Sequence, residues 1–292
     1  MNAAIAENYR LRITRVSLRM AATLTCLGLG CVAPTANLGR QEQGLDTPSV
    51  EYDDRALATV LRENVRDGLV DYKHLASHRK PLDEYLSMIA RTGPTRDPNS
   101  FLTRQARLCY YINAYNAGVL AAVLHADVPD SMHDFRRGPL DQRHRLRVDG
   151  RYTTLAELRH QTTTLAEGDM RVAFALCDAA VGSPALHDQP FRPLGLEEVL
   201  RRLASRAMDN HHIVTVDHAK QRLMLSTMLT TRRDEFINYY KVQTGAADAT
   251  MLNVVIYFAS NVRRQWLNTA VGYPERTAPF ERGLNRWTPP ER

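Results

Sequence analysis

Cysteine is scarce in this chain: there are four in 292 residues. Two of them, Cys26 and Cys31, lie near the N-terminus, which leaves Cys109 and Cys177 for any folded part. A disulfide framework is therefore excluded, although a single bridge or two buried free thiols both remain open. There is no Cys-x-x-Cys and no His-Glu-x-x-His, so the usual zinc signals are missing. There is also no Gly-x-Ser-x-Gly, which removes the nucleophile elbow of the α/β hydrolases. No internal repeat and no low-complexity tract is present. Nor is there an excess of one charge. The first 36 residues carry four Arg and one Glu, so the remainder has a net charge of +3 against +6 for the whole chain. That bias is too weak to point to nucleic acid.

The N-terminus is where the composition departs from the ordinary. Arg10, Arg12, Arg15 and Arg19 form a basic segment, and Met20 to Ala33 carries no charge. An apolar run of this length is too short to cross a bilayer, which takes roughly 20 residues. It fits the core of a secretory signal followed by small residues suited to cleavage, at Cys31-Val32-Ala33 or Pro34-Thr35-Ala36. Leu29-Gly30-Cys31 also resembles the end of a bacterial lipobox, which would lipidate Cys31, although Gly28 stands where an aliphatic residue is usual. The expectation is export to the periplasm or cell envelope, with residues 1–36 as signal or N-terminal membrane anchor. A tether then covers 37–52, one domain 53–286, and a tail 287–292.

Within 53–286 the hydrophobic fraction and periodicity predict an α+β fold: a mostly helical single domain with a small antiparallel or mixed sheet. Helices are expected near 54–66, 80–91, 154–161, 195–208, 231–242 and 249–268. The longest should run from Ser100, as its cap, to Leu124. Leu69 to Tyr72 reads as extended, residues 126–151 as irregular, and Val172 to Leu176 as a buried strand. Residues 213–216 and 222–225 read as a hairpin.

Candidate sites are few. His211 and His212 are adjacent and, on a strand, would face opposite ways. They read as part of a solvated turn, and His74 with His78 as part of a loop. No metal and no cofactor is called for. Ser183, in Gly182-Ser183-Pro184, has no local base. Cys177 ends the expected buried strand; a reactive thiol there would need a histidine or another positive group to hold it as thiolate. The most informative stretch is Cys109 to Ala117, Cys-Tyr-Tyr-Ile-Asn-Ala-Tyr-Asn-Ala. Asn113 and Asn116 cost helix propensity, and their amides need partners if buried. They either fix a neighbouring loop or, with Tyr110, line a ligand pocket.

The stretch Tyr110 to Ala117 resembles the signature of the domain-of-unknown-function family numbered 547. Other pieces resemble that family in order: Asp67 to Tyr72, Thr154 to His160, Arg171 to Leu176, Leu225-Ser226 with Asp234-Glu235-Phe236, and Phe280 to Asn285. The family pattern implies a thiol-based site or a structural disulfide, with a His on the central strand, a Cys just past it and then a Cys-Pro pair. Here those positions hold Ala173, Asp178 (with Cys177 one residue early) and Ser183-Pro184, while Glu281-Arg282 replaces a closing Asp-Trp. Asn113, Asn116 and His160 are kept. The resemblance therefore implies a non-catalytic binding or scaffold protein derived from a thiol-site family, acting on an unknown ligand or protein, with no nucleic acid. A membrane tether through the N-terminus would make it a structural envelope protein. The alternative is a cysteine-dependent hydrolase or transferase using Cys177 with His160 as base.

Overall fold

A computed structural model describes residues 36–37, 50–132 and 144–289. The basic segment, the apolar run, Cys31 and most of the expected tether lie outside the described residues, as do residues 133–143. The described residues fall within one compact unit, Thr35–Arg292. Among them no helix is long and apolar enough to cross a membrane.

The fold is α+β and mostly helical, with small sheets of two and three strands. The chain opens with β1 (Ala36–Asn37) and helix α1 (Arg55–Asn64). The expected helix over 54–66 stops two residues early because β2 (Val65–Arg66) and β3 (Leu69–Val70) form a tight hairpin. Its turn, Asp67-Gly68, has both φ angles positive (49° and 80°), the geometry of a type I′ turn. A β-carbon at Gly68 would lie 2.4 Å from that of Ala185, so glycine is required there by space as well as by φ. Tyr72, expected to be extended, instead begins the short helix α2 (Tyr72–Ser77). Asp71 caps it by accepting from the His74 backbone N–H. His74 is therefore helical and His78 caps the helix C-terminus, where the sequence suggested a loop.

Helix α3 (Lys80–Ile89) leads to a 3-10 turn at Pro98–Phe101. That turn displaces the start of the longest helix, α4 (Arg104–His125), from Ser100 to Thr103, whose hydroxyl accepts from the Ala106 N–H. From Leu108 to Val123 every residue of α4 is buried. A helix apolar on all sides becomes the centre of its domain, and α4 packs against α3, β4 and α5. Gly118 permits the last two approaches, since a β-carbon there would meet Leu155 at 2.8 Å and Leu146 at 3.1 Å.

Part of the stretch expected to be irregular is a second type I′ hairpin. β4 (His144–Val148) and β5 (Arg151–Thr154) pair antiparallel around Asp149-Gly150, again with both φ angles positive, and β1 adds to β4 in parallel. α5 (Leu155–Leu165) follows, closed by a capping box in which Thr154 and Glu157 exchange side-chain and backbone hydrogen bonds.

Residues Met170–Ala175, expected as a strand, form a 3-10 helix instead. Val172 to Leu176 is buried on every side and so carries no period that separates strand from helix. The Asp169 carboxylate then fixes the outcome by accepting from the Arg171 N–H. α6 (Leu196–Asp209) and the hairpin β6 (Val214–Asp217) with β7 (Arg222–Leu225) follow the sequence expectation. β8 (Glu275–Thr277) extends that sheet in parallel with β7. The closing helices are more broken than expected: α7 (Thr227–Thr231), α8 (Arg233–Thr244), α9 (Met251–Phe258) and α10 (Asn261–Asn268). Ala259 and Ser260 adopt extended backbone, and the Ser260 hydroxyl caps α10.

Candidate functional site

The site is organised by the buried asparagines of α4. Asn113 accepts the Phe191 N–H at 2.8 Å and donates to the Phe191 carbonyl at 2.9 Å. Asn116 does the same across a short gap: it accepts from Cys177 N–H at 3.1 Å and donates to the Ala175 carbonyl at 2.9 Å. Each side-chain amide thus pairs with main chain as a peptide group would. The buried Ala175 carbonyl, the Cys177 N–H and both backbone groups of Phe191 are satisfied without a strand partner. Tyr110 lies elsewhere. Its hydroxyl donates towards the carbonyls of Ile89 and Thr92 and accepts from the Asp149 N–H, which pins the loop after α3 to the β4–β5 turn.

Asn116 delivers Cys177 into an enclosed polar cluster. The Cys177 Sγ lies 3.8 Å from the Ser183 hydroxyl and accepts from Asn285 Nδ2 at 3.5 Å. Asn285 also accepts from the Tyr72 hydroxyl at 2.7 Å. Cys177, Ser183, Asn285 and Tyr72 are all buried. Burial, opposed by the Ala179 N–H and aided by the neighbouring Asp178 carboxylate, pushes the Cys177 thiol up to about 11. Burial likewise pushes Cys109, on the inner face of α4, up to about 12. Both cysteines are free.

The lid over this cluster is the C-terminal segment. Its backbone runs as a strap between three neighbours. Val181 and Gly182 N–H donate to the Gly283 and Glu281 carbonyls, and the Asn285 N–H donates to Ala179. On the other side, Val70 N–H donates to Asn285 O, and Trp287 N–H donates to Val70 O. Leu284 and Met132 N–H complete the seam with the Asp130 and Arg282 carbonyls. Gly182 lets the strap lie close, since a β-carbon there would meet the Glu281 backbone at 2.9 Å.

Just outside the cluster, Asp178 accepts hydrogen bonds from both Arg159 and Tyr115, and the Arg159 guanidinium lies over the Tyr115 ring, 4.8 Å from its centroid. Burial and then the Asp178 carboxylate hold the Tyr115 phenol well above its ordinary value. So the residue of α5 that reaches this region is Arg159. His160, one position on, is exposed, and its carbonyl accepts from Thr163 and Thr164. The structure brings Asn116 and Cys177 together; among the described residues no hydrogen bond joins His160 to either. Asn285, Tyr72, Arg159 and Tyr115 were not singled out from the sequence as site residues, although all four lie inside the quoted motifs.

Two clefts open elsewhere. One of about 300 Å³ is lined by Phe174, Leu203, Ala207 and Ile213, with Asp67 and Arg206 among its polar lining residues. The other, of about 730 Å³, lies against α2 and the end of the strap and is lined by Tyr72, His74, Val128, Arg286 and Trp287 among others. Among the described residues no group of three or more His, Cys, Asp or Glu is placed to hold a metal ion.

No curated protein and no solved structure matches the chain. The family comparison is narrower than the 53–286 span implied by the order of the motifs, but it contains α4, α5, Cys177, Ser183 and most of α6. Residues 99–206 match the family model described as "Protein of unknown function, DUF547", the family that the Tyr110 to Ala117 stretch resembles.

Proposed function

We propose that this is an exported, non-catalytic binding or scaffold domain in which the thiol cluster holds the fold together. The observation that carries the reading is the enclosure of Cys177. Its sulfur touches Ser183 and Asn285 under the strap, its thiol is pushed up to about 11, and His160 stands on the surface. A cysteine nucleophile must be ionised, reachable and aimed at a cleft, and each of these conditions is opposed here. The polar groups of the cluster are engaged with one another and with backbone, as in a structural core. Export to the periplasm or cell envelope is supported by the arginines and the uncharged run before Pro34, with a membrane tether if Cys31 is lipidated.

The test is native-state alkylation. The folded protein is exposed to iodoacetamide near neutral pH, and each cysteine is followed by peptide mass. Both cysteines are expected to react slowly until denaturant is added. Rapid, selective labelling of Cys177 in the folded protein would overturn the reading. Export is tested separately by intact mass of the native protein, where a start beyond residue 30 or so is expected and a retained Met1 refutes it.

A further inference from the structure

The larger cleft, between α2 and the end of the strap, is not used by the thiol cluster. It holds about 730 Å³, within the roughly 300–1,000 Å³ of small-molecule sites. Lys73, Ala76 and Ser77 stand at i, i+3 and i+4, so one face of α2 lines it. Arg286 and Trp287 line it from the strap. The bonds that fix these groups leave their reactive ends free. The Trp287 backbone N–H donates to the Val70 carbonyl. Arg286 donates to the Val128 and Pro129 carbonyls at 3.2 and 3.5 Å and pairs with Asp130 at 3.1 Å. The cleft is thus preformed. Among the described residues that line it, three are basic, Lys73, His74 and Arg286, against one acid, Asp71. Asp71 is committed to capping α2, where it accepts from the His74 N–H at 2.9 Å. Asp130 is 90% exposed, so solvent screens its pairing with Arg286. Among the described residues the Lys73 ammonium makes no hydrogen bond or ion pair, and the Trp287 indole N–H has no partner.

We infer that this cleft binds an organic anion with a flat apolar body, an aromatic carboxylate or sulfonate, its charged group on Lys73 and its ring on Trp287. The anion follows from the basic surplus and the uncommitted ammonium, because a cleft lined by one sign of charge between low-dielectric walls concentrates the opposite sign. The flat body follows from Trp287, which is half-buried and offers a large rigid face with a polar N–H at its edge. Ala76 and Ser77 are small and leave room for that body. The inference rests on reading the protein as a binding domain and names the ligand class that such a domain would take. Tyr72 ties the cleft to the thiol cluster: it lines the cleft, and its hydroxyl donates to Asn285, which donates to the Cys177 sulfur. A ligand lying on Trp287 therefore braces the strap that covers Cys177.

The test is titration of the full chain with anilinonaphthalene sulfonate, an anion on an aromatic body whose own fluorescence reports binding. Saturable binding at one equivalent is expected. K73A should weaken it about 10- to 150-fold, the contribution of one hydrogen bond to a charged group. W287A should weaken it about tenfold through the lost ring contact. N-phenylnaphthylamine, the same body without the sulfonate, should bind the parent no better than the anion binds K73A. R206A alters the other cleft and should change nothing. Lys73 is exposed, so K73A keeps the fold and decides the question. Undiminished binding in K73A, a neutral probe that binds as tightly as the anion, loss of binding in R206A, or no saturable binding in the parent overturns the inference. Rapid native-state labelling of Cys177 would instead overturn the non-catalytic reading and leave these binding results standing.

Discussion

Replacing Asn113 by Leu tests whether the asparagines of α4 act on main chain. Leu is close to Asn in shape, so the change removes hydrogen bonds without opening a large cavity. Two main-chain groups lose their partner, the Phe191 N–H at 2.8 Å and the Phe191 carbonyl at 2.9 Å, and Phe191 is buried; the Tyr52 hydroxyl loses a longer contact, at 3.4 Å. Each stranded buried group costs about 1–3 kcal/mol, so the pair costs about 2–6 kcal/mol. The new side chain offsets roughly 1.5–3 kcal/mol of this by its own burial. At mid-range, about 4 less about 2 kcal/mol, the net loss is about 2 kcal/mol, a sizeable share of the about 5–15 kcal/mol that holds a domain together. Urea unfolding followed by circular dichroism measures it as a lowered midpoint at constant slope. A loss below about 0.5 kcal/mol, the level of an ordinary surface change, would mean that the Phe191 backbone is satisfied by water and that the clamp is idle. Asn113→Asp refines the test. It keeps an acceptor for the Phe191 N–H but sets a carboxylate against the Phe191 carbonyl, so burial and repulsion raise the folded-state pKa above about 3.9. The variant is then most stable below that value and loses stability as pH rises through the raised one. A flat or opposite pH dependence relative to the parent would refute the assigned amide orientation.

Further outcomes follow from the same geometry. Gly68→Ala places a β-carbon 2.4 Å from that of Ala185 in a backbone with φ of 80°, and strain of this kind costs about 1–3 kcal/mol before the clash is added; an unchanged melting temperature would contradict it. Ser183→Cys sets a second sulfur where an oxygen now lies 3.8 Å from the Cys177 Sγ, so mild oxidation should join the two, seen as a mass loss of two hydrogens; two free thiols after oxidation would show that the pair is misaligned. The Cys177 thiol rises from 9.0 to about 11 on folding, so its contribution is full below the unfolded value and is lost as pH climbs through the folded one. Two units correspond to about 3 kcal/mol, and Cys177→Ala should flatten alkaline unfolding over that interval.

Much of the helical frame was legible because its apolar residues recur at helical spacing. The centre of α4, all of α6 and the β6–β7 hairpin are examples. The helix ends were less legible, since Ser100 and Thr103 are both good caps and only the 3-10 turn at Pro98–Phe101 chooses between them. Asp67-Gly68 and Asp149-Gly150 are strong two-residue hairpin signals that a reading by hydrophobic period passes over. Residues 172–176 could not be assigned because a fully buried run shows no polar face. The candidate site was legible only in part. The motif pointed to Asn113 and Asn116, but their partners are main-chain groups 59 to 78 residues away, which no spacing encodes. Arg159 was hidden beside the more conspicuous His160, and only the facing direction of α5 separates them.

The strap also sets an order of events during synthesis. Asn285 joins Tyr72 across 213 residues and Gly68 across 217. While residues 281–287 are still inside the ribosome, Val70, Val181 and Gly182 have no partner for their backbone N–H groups, and the sulfur of Cys177 has no roof. The nascent chain can assemble α4 and its neighbours early but cannot seal them. Any chain that stops before Phe280 is left with two open backbone edges and an accessible thiol, the features by which unfinished proteins pair with one another and are removed.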